Sequence, residues 1–189
     1  MDEYPFKKQS SAPGASKQNT SESLRVSIEI AQMSDWEAFR DIRLDSLAVN
    51  PEAFRTKLEN AIERTPEQWQ ADLSSDKIFY VLAKANSALN RAESVAGAVK
   101  EKEGIWLLVS VYTRPNYRKK GISEKVLSKT LEEIKNRGGT KATLFVHQGQ
   151  KQDAARNLYK KLGFKEMESG KYHDRDFMTL DLDTTIPEK

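Results

Sequence analysis

The sequence predicts one mixed α/β domain in which two antiparallel halves of a sheet surround a central strand, helix, strand unit. Three observations lead there. Strand-like runs at 78–83, 95–99 and 104–112 follow one another across polar turns, the pattern of an antiparallel meander. An amphipathic helix then runs from 122 to the pair Gly138-Gly139 and hands over to a short apolar strand at 142–146. A last helix stops at Gly163, and the runs 164–167 and 175–182 close the chain as a pair of strands.

Residues 1–23 contain SSAPGASKQNTSES, which has almost nothing to bury and reads as a flexible tail, leaving 24–184 as the folded domain. The alternation LRVSIEI at 24–30 suggests a first strand. Ser34 followed by Glu37 predicts a capping box, and Trp36, Phe39, Ile42, Leu44 and Leu47 lay an apolar face on the helix that follows. That helix should end near Asn50-Pro51, because the residue before a proline avoids helical backbone. Phe54 and Leu58 mark a second helical region. A third opens at Thr65-Pro66, with Gln68 three residues after the cap and Trp69 and Leu73 facing inward. After the meander, Val126, Leu127, Thr130, Leu131 and Ile134 recur at helical spacing.

Composition narrows the function. The 189 residues suit one domain plus a tail, and 38% hydrophobic with 31% charged residues fits a globular protein. No cysteine is present, which removes disulfides, thiolate metal ligands and cysteine nucleophiles. His147 and His173 are the only histidines, so no metal site is expected. The net charge of +3 is mild, and nucleic acid is not expected as a partner. No apolar run approaches the roughly 18 residues that span a bilayer, and the N-terminal residues lack the apolar core of a signal peptide. The expectation is a cytoplasmic protein with no membrane partner.

The positive charge is concentrated where a strand meets a helix, in VYTRPNYRKKGIS at 111–123. A helix start presents free N–H groups and a partial positive charge, and Gly121 lets the backbone close on a ligand. Ser123 keeps bulk low, while Arg118, Lys119 and Lys120 add charge that a phosphate can pair with. Neither a Walker A loop nor GxGxxG is present, so the segment reads as a different phosphate or pyrophosphate site.

One helix and one strand later comes FVHQGQKQDAARNLYKKLGF. The order VYTRP, YRKKGIS, LFV and AARNLYKKLGF resembles the GNAT superfamily of acyl-CoA-dependent N-acetyltransferases, most strongly over 104–167. The resemblance implies a mostly antiparallel sheet with a splayed central strand pair flanked by helices, and acetyl-CoA as cosubstrate. It implies that Arg118, Lys119, Lys120, Gly121, Ile122 and Ser123 bind pyrophosphate, with serine replacing the usual final glycine or alanine. Val111, Tyr112 and Thr113 are implied to contact the pantetheine arm through their backbone. Tyr159 is implied to sit near the thioester sulfur. Many members carry asparagine seven residues before that tyrosine; this chain has Gln152, and either it, Gln150 or a shifted turn takes that contact.

Acetyl transfer to an amine needs a polarised carbonyl, a neutral amine and a protonated leaving thiolate. Tyr159 is the candidate acid, and direct attack by the amine needs no protein nucleophile. Glu101, Glu103, His147 and His173 are candidate bases by chain position only, and none is singled out. The expected partner is an amine on a small molecule or protein, and a homodimer is left open. A non-catalytic acyl-CoA-binding regulatory module is the competing reading.

Overall fold

The computed structural model describes residues 26–85, 90–148, 153–172 and 175–182, with backbone alone for 168–172. The expected tail at 1–23, Gln150, Gln152, His173 and the last two positions of the expected domain lie outside the described residues.

Seven strands form one mixed sheet in the order β1-β2-β3-β4-β5-β7-β6. Strand β1 (Val26–Ile30) pairs with β2 (Ile78–Ala85), which pairs with β3 (Ala92–Lys102), which pairs with β4 (Ile105–Thr113), all antiparallel. On the other side β5 (Lys141–His147) pairs with β7 (Arg175–Asp181), and β7 with β6 (Lys165–Tyr172), again antiparallel. The halves join at β4 and β5, which run parallel, as a helical crossover allows. The two antiparallel halves and the central unit read from the sequence are therefore present.

Helices α1 (Trp36–Val49), α2 (Leu58–Ile62) and α3 (Pro66–Leu73) connect β1 to β2, while α4 (Ile122–Asn136) connects β4 to β5 and α5 (Asp153–Lys161) lies between β5 and β6. Strand β2 is buried on both faces, and its alternation divides the core. Phe79, Val81 and Ala83 pack with Val126, Leu127 and Ile134 of α4, whereas Tyr80 and Leu82 pack with Phe39, Ile42 and Leu47 of α1. Trp69 joins the second cluster edge-on to Phe39 at 5.7 Å and is core. No helix among the described residues is long and apolar enough to cross a membrane.

Local signals largely hold. Thr65 and Gln68 form the expected capping box on α3, and Gly138 and Gly163 adopt the positive φ of helix-terminating glycines. The Ser34 and Glu37 box does not form. A 3-10 turn, Met33–Asp35, precedes α1, and Asp35 instead accepts hydrogen bonds from the Gln32 N–H at 2.9 Å and from Lys84 Nζ of β2 at 2.6 Å. Gln32 and Asp35 form the capping box of this turn, and Asp35 rather than Ser34 is the N-cap of α1. Phe54 follows a short 3-10 turn, Pro51–Ala53, rather than lying on a helix, because Pro51 starts a turn too short to continue.

Candidate active site

The pairing of β4 with β5 stops early. Register runs only from Ile105 opposite Lys141 to Leu107 opposite Thr143, and beyond it the two strands separate. A β-bulge accompanies the separation. Gly97 lies opposite Val109 but Val95 opposite Tyr112, so β4 has one more residue than β3 between those pairs, and Ser110 there takes φ +60°. The extra residue reverses the side-chain alternation. Leu108 and Val111 both pack on the α4 side, while Val109 and Tyr112 both pack on the α1 side.

The gap opens into a cavity of about 630 Å³ that reaches both faces of the sheet. Val109, Ser110 and Val111 of β4 and Val146 and His147 of β5 line its walls; Arg43 and Phe54 close the α1 side, and Tyr159 of α5 closes the other. The Arg114 N–H bonds the Glu93 carbonyl on β3 at 3.0 Å. By antiparallel alternation Tyr112 also turns its backbone groups to β3, whereas Thr113 turns its own away from β3, where its carbonyl accepts from Arg118 Nε at 2.9 Å.

At the rim of the gap the basic turn leads into α4. Lys119 and Gly121 adopt φ +59° and +73°, and Gly121 is the N-cap of a 15-residue helix that no side chain caps. The first helical bond is from the Lys125 N–H to the Gly121 carbonyl at 3.2 Å, so the N–H groups of the preceding turn have no partner along the helix. A Cβ placed on Gly121 would meet no heavy atom within 4 Å. Open space and free N–H groups thus lie at the helix start, with Arg118, Lys119 and Lys120 exposed in the turn before it, an arrangement able to accept an anion. Arg118 also holds the turn in place, since its Nε donates to the Thr113 carbonyl at 2.9 Å and its guanidinium lies over the Tyr112 ring at 5.7 Å. Ile122 is buried in the core and anchors the helix start.

Ser123, the expected departure, has a structural use. Its hydroxyl meets that of Thr113 at 2.7 Å, and Thr113 meets the Ser94 hydroxyl at 2.7 Å. This chain of hydroxyls ties the α4 start to the ends of β3 and β4, and glycine or alanine could not make it.

Tyr159 is buried, with its ring edge-on to Phe164 at 6.0 Å. Burial alone pushes its phenol pKa well above the ordinary value, so it stays protonated at neutral pH. Of the candidate bases, Glu101 and His147 both line the cavity. Glu103 is exposed and pairs with Lys100 at 3.0 Å, outside that lining.

Comparison with known proteins identifies the family and the fold. The family model described as the acetyltransferase (GNAT) family matches residues 36–164, more than half of the chain. The chain belongs to the GNAT family. No curated protein matches it. Among solved structures, PaiA N-acetyltransferase from Thermoplasma acidophilum in complex with coenzyme A superposes with a TM-score of 0.63 at 19% identity, covering 82% of this chain and 99% of that one. YncA from Salmonella typhimurium, with its cofactor acetyl-CoA, gives 0.62 at 18%, covering 87% and 98%. A ribosomal-protein-alanine N-acetyltransferase from Brucella melitensis gives 0.61 at 22%, covering 82% and 99%.

Two features of this GNAT domain escaped the sequence reading. Arg114, just past β4, is buried and forms ion pairs with Asp41 at 2.7 Å, Asp45 at 2.9 Å and Glu93 at 3.4 Å. Tyr112 joins this network by donating its hydroxyl to Asp45 at 2.7 Å, and burial together with that bond raises the phenol to about 12. The network fixes the end of β4 against α1, immediately before the basic turn. The other feature is Arg43, which occupies the buried face of α1 between Ile42 and Ser46. A cation on an otherwise inward-facing stripe was the signal available in the sequence.

Proposed function

We propose that this GNAT domain is an N-acetyltransferase that moves an acetyl group from acetyl-CoA to a primary amine by direct attack. The observation that carries the reading is the cavity between the separated ends of β4 and β5, lined from both faces of the sheet, together with the uncapped α4 start that Ser123 ties to Thr113 at the end of β4. Such a passage lets an amine approach from one side while the acyl donor enters from the other. The solved complexes with coenzyme A and acetyl-CoA share this fold.

Bound acetyl-CoA supplies an acetyl group on a thioester, whose carbon–sulfur bond breaks as the carbon–nitrogen bond forms. The free N–H groups of α4 and the side chains of Arg118, Lys119 and Lys120 receive the phosphates. Backbone groups at the separated end of β4, around Val111, Tyr112 and Thr113, align the arm like an added strand, and a β4 N–H directed into the gap polarises the carbonyl. Tyr159 holds a proton in an apolar setting and donates it toward the sulfur as charge builds there. Glu101 and His147 are the cavity groups available to take the amine's proton, directly or through water.

Incubation with acetyl-CoA and a panel of primary amines, following free thiol, tests the proposal. Amine-dependent thiol release is expected. Binding of acetyl-CoA should also raise the melting temperature, by roughly 2.7 kcal/mol of added stability at 100 times the dissociation constant. Binding with no turnover across the panel would favour a regulatory module, and no binding would remove both readings.

A further inference from the structure

Arg43 is 8% exposed, yet it lines the cavity. Its Nη1 donates to the Ser46 hydroxyl at 3.0 Å, and its guanidinium carbon lies 5.0 Å from the centre of the Phe54 ring. Among the described residues no carboxylate pairs with it. Asp72, whose field reaches Arg43, is already bound to Arg64 at 2.8 Å. A buried charge with no counter-charge is costly, and Arg43 accordingly has its pKa lowered by burial. Compare Arg114, equally buried, which carries three acidic partners. Among the described residues Arg43 therefore differs from Arg114 in having no carboxylate bound to it, and the side on which it meets open space is the cavity.

We infer that the acceptor is an amine that also carries a carboxylate, and that Arg43 holds this carboxylate on the α1 side of the cavity. The inference rests on the acetyltransferase reading and specifies its acceptor. The position separates this anion from the phosphates of the acyl donor, because α1 and α4 cover opposite faces of the sheet. A planar guanidinium matches a carboxylate through two parallel hydrogen bonds. The single charge of Arg43, with Phe54 against it, suits a monoanion better than a phosphate dianion.

The experiment compares matched acceptors: α-amino acids with their carboxamides, and dipeptides with free and amidated C termini, each rate expressed per neutral amine. Thiol release from acetyl-CoA should give kcat/KM about ten- to a hundredfold higher for the free acids, the range of a charge-assisted hydrogen bond. Arg43→Met, which replaces a buried cation with an apolar side chain of similar length, should abolish that preference while leaving acetyl-CoA affinity intact. Calorimetric titration of the same pairs into the wild-type and variant proteins reads binding without turnover. Equal rates and equal affinities for acids and amides in the wild-type protein would overturn the inference while leaving the acetyltransferase reading in place. So would a preference for phosphate-bearing amines, or an Arg43-dependent preference for succinyl-CoA over acetyl-CoA. Arg43-dependent binding of the acids without any turnover would support the carboxylate site and remove the acetyltransferase reading.

Discussion

Substituting Gly121 tests whether the basic turn holds phosphates, and the structure separates the effect on folding from the effect on binding. Gly121 sits at φ +73°, where a residue with a Cβ loses roughly 1–2 kcal/mol. No heavy atom lies within 4 Å of the Cβ position, so the folding cost of Gly121→Val is this backbone strain and no clash. At about 2–4 °C per kcal/mol for a chain of this size, the variant should melt roughly 2–8 °C lower. Binding suffers for another reason, since the valine side chain occupies the open space in front of the first α4 N–H groups. Losing a hydrogen bond to a charged group is worth about 1.5–3 kcal/mol, or roughly ten- to a hundredfold in acetyl-CoA affinity. Gly121→Asp separates the two effects. Aspartate tolerates left-handed backbone and is favoured at a helix N-cap, yet it places a negative charge where the phosphates would sit. It should keep the wild-type melting temperature and lose affinity at least as severely as valine. Calorimetric titration with acetyl-CoA and a thermal melt on all three proteins give the comparison, and an aspartate variant that binds like the wild type would refute a phosphate site at this turn.

Three further outcomes follow from the same structure. Tyr159→Phe retains the ring against Phe164 and removes the hydroxyl, so acetyl-CoA affinity should hold while turnover falls by about 10²- to 10⁴-fold; intact turnover would remove the acid role. Gly97→Ala would place a Cβ 2.5 Å from Tyr80 Cδ1, on a ring already packed 4.2 Å from Phe39, and overpacking of this kind costs about 1–3 kcal/mol. A melting temperature within a degree of wild type would show that Tyr80 has room to move. Glu93 has its carboxyl pKa raised, chiefly by burial, so the folded state holds that proton more tightly than the unfolded chain. Its contribution is complete below the ordinary glutamate value of about 4.3 and is lost as pH rises through the folded-state value. Glu93→Gln should flatten that part of the stability profile measured by urea titration, and an unchanged profile would place the dependence elsewhere.

Most elements were legible because their signals are local. The Thr65 and Gln68 box, the stops at Gly138 and Gly163, and the spacing of Val126, Leu127, Leu131 and Ile134 each act within a few residues of chain, so periodicity and capping chemistry reveal them. The basic turn was legible for the same reason, since a strand end, a glycine and a helix start are consecutive in sequence. Other features depend on partners distant along the chain. Asp35 finds Lys84, 49 residues on, and Thr113 finds Ser94 on the neighbouring strand, contacts that no short window of sequence contains.

The order and kind of the elements, and the place where positive charge meets a helix start, are written in short segments, because backbone propensity and hydrophobic period are local properties. The cavity and what faces it arise from packing. The run WLLVSVYT reads as an uninterrupted strand, yet the bulge at Ser110 reverses its alternation, turns Tyr112 to the Asp45 side and sends Val111 toward α4. The bulge is set by pairing with β3, and the gap by where β5 ceases to pair. Arg43 likewise reads as an ordinary helix cation until α1 is laid on the sheet, which buries it at the cavity wall with no carboxylate partner among the described residues. Pairing, burial and counter-charge are relations between segments, and they come into being only when those segments meet.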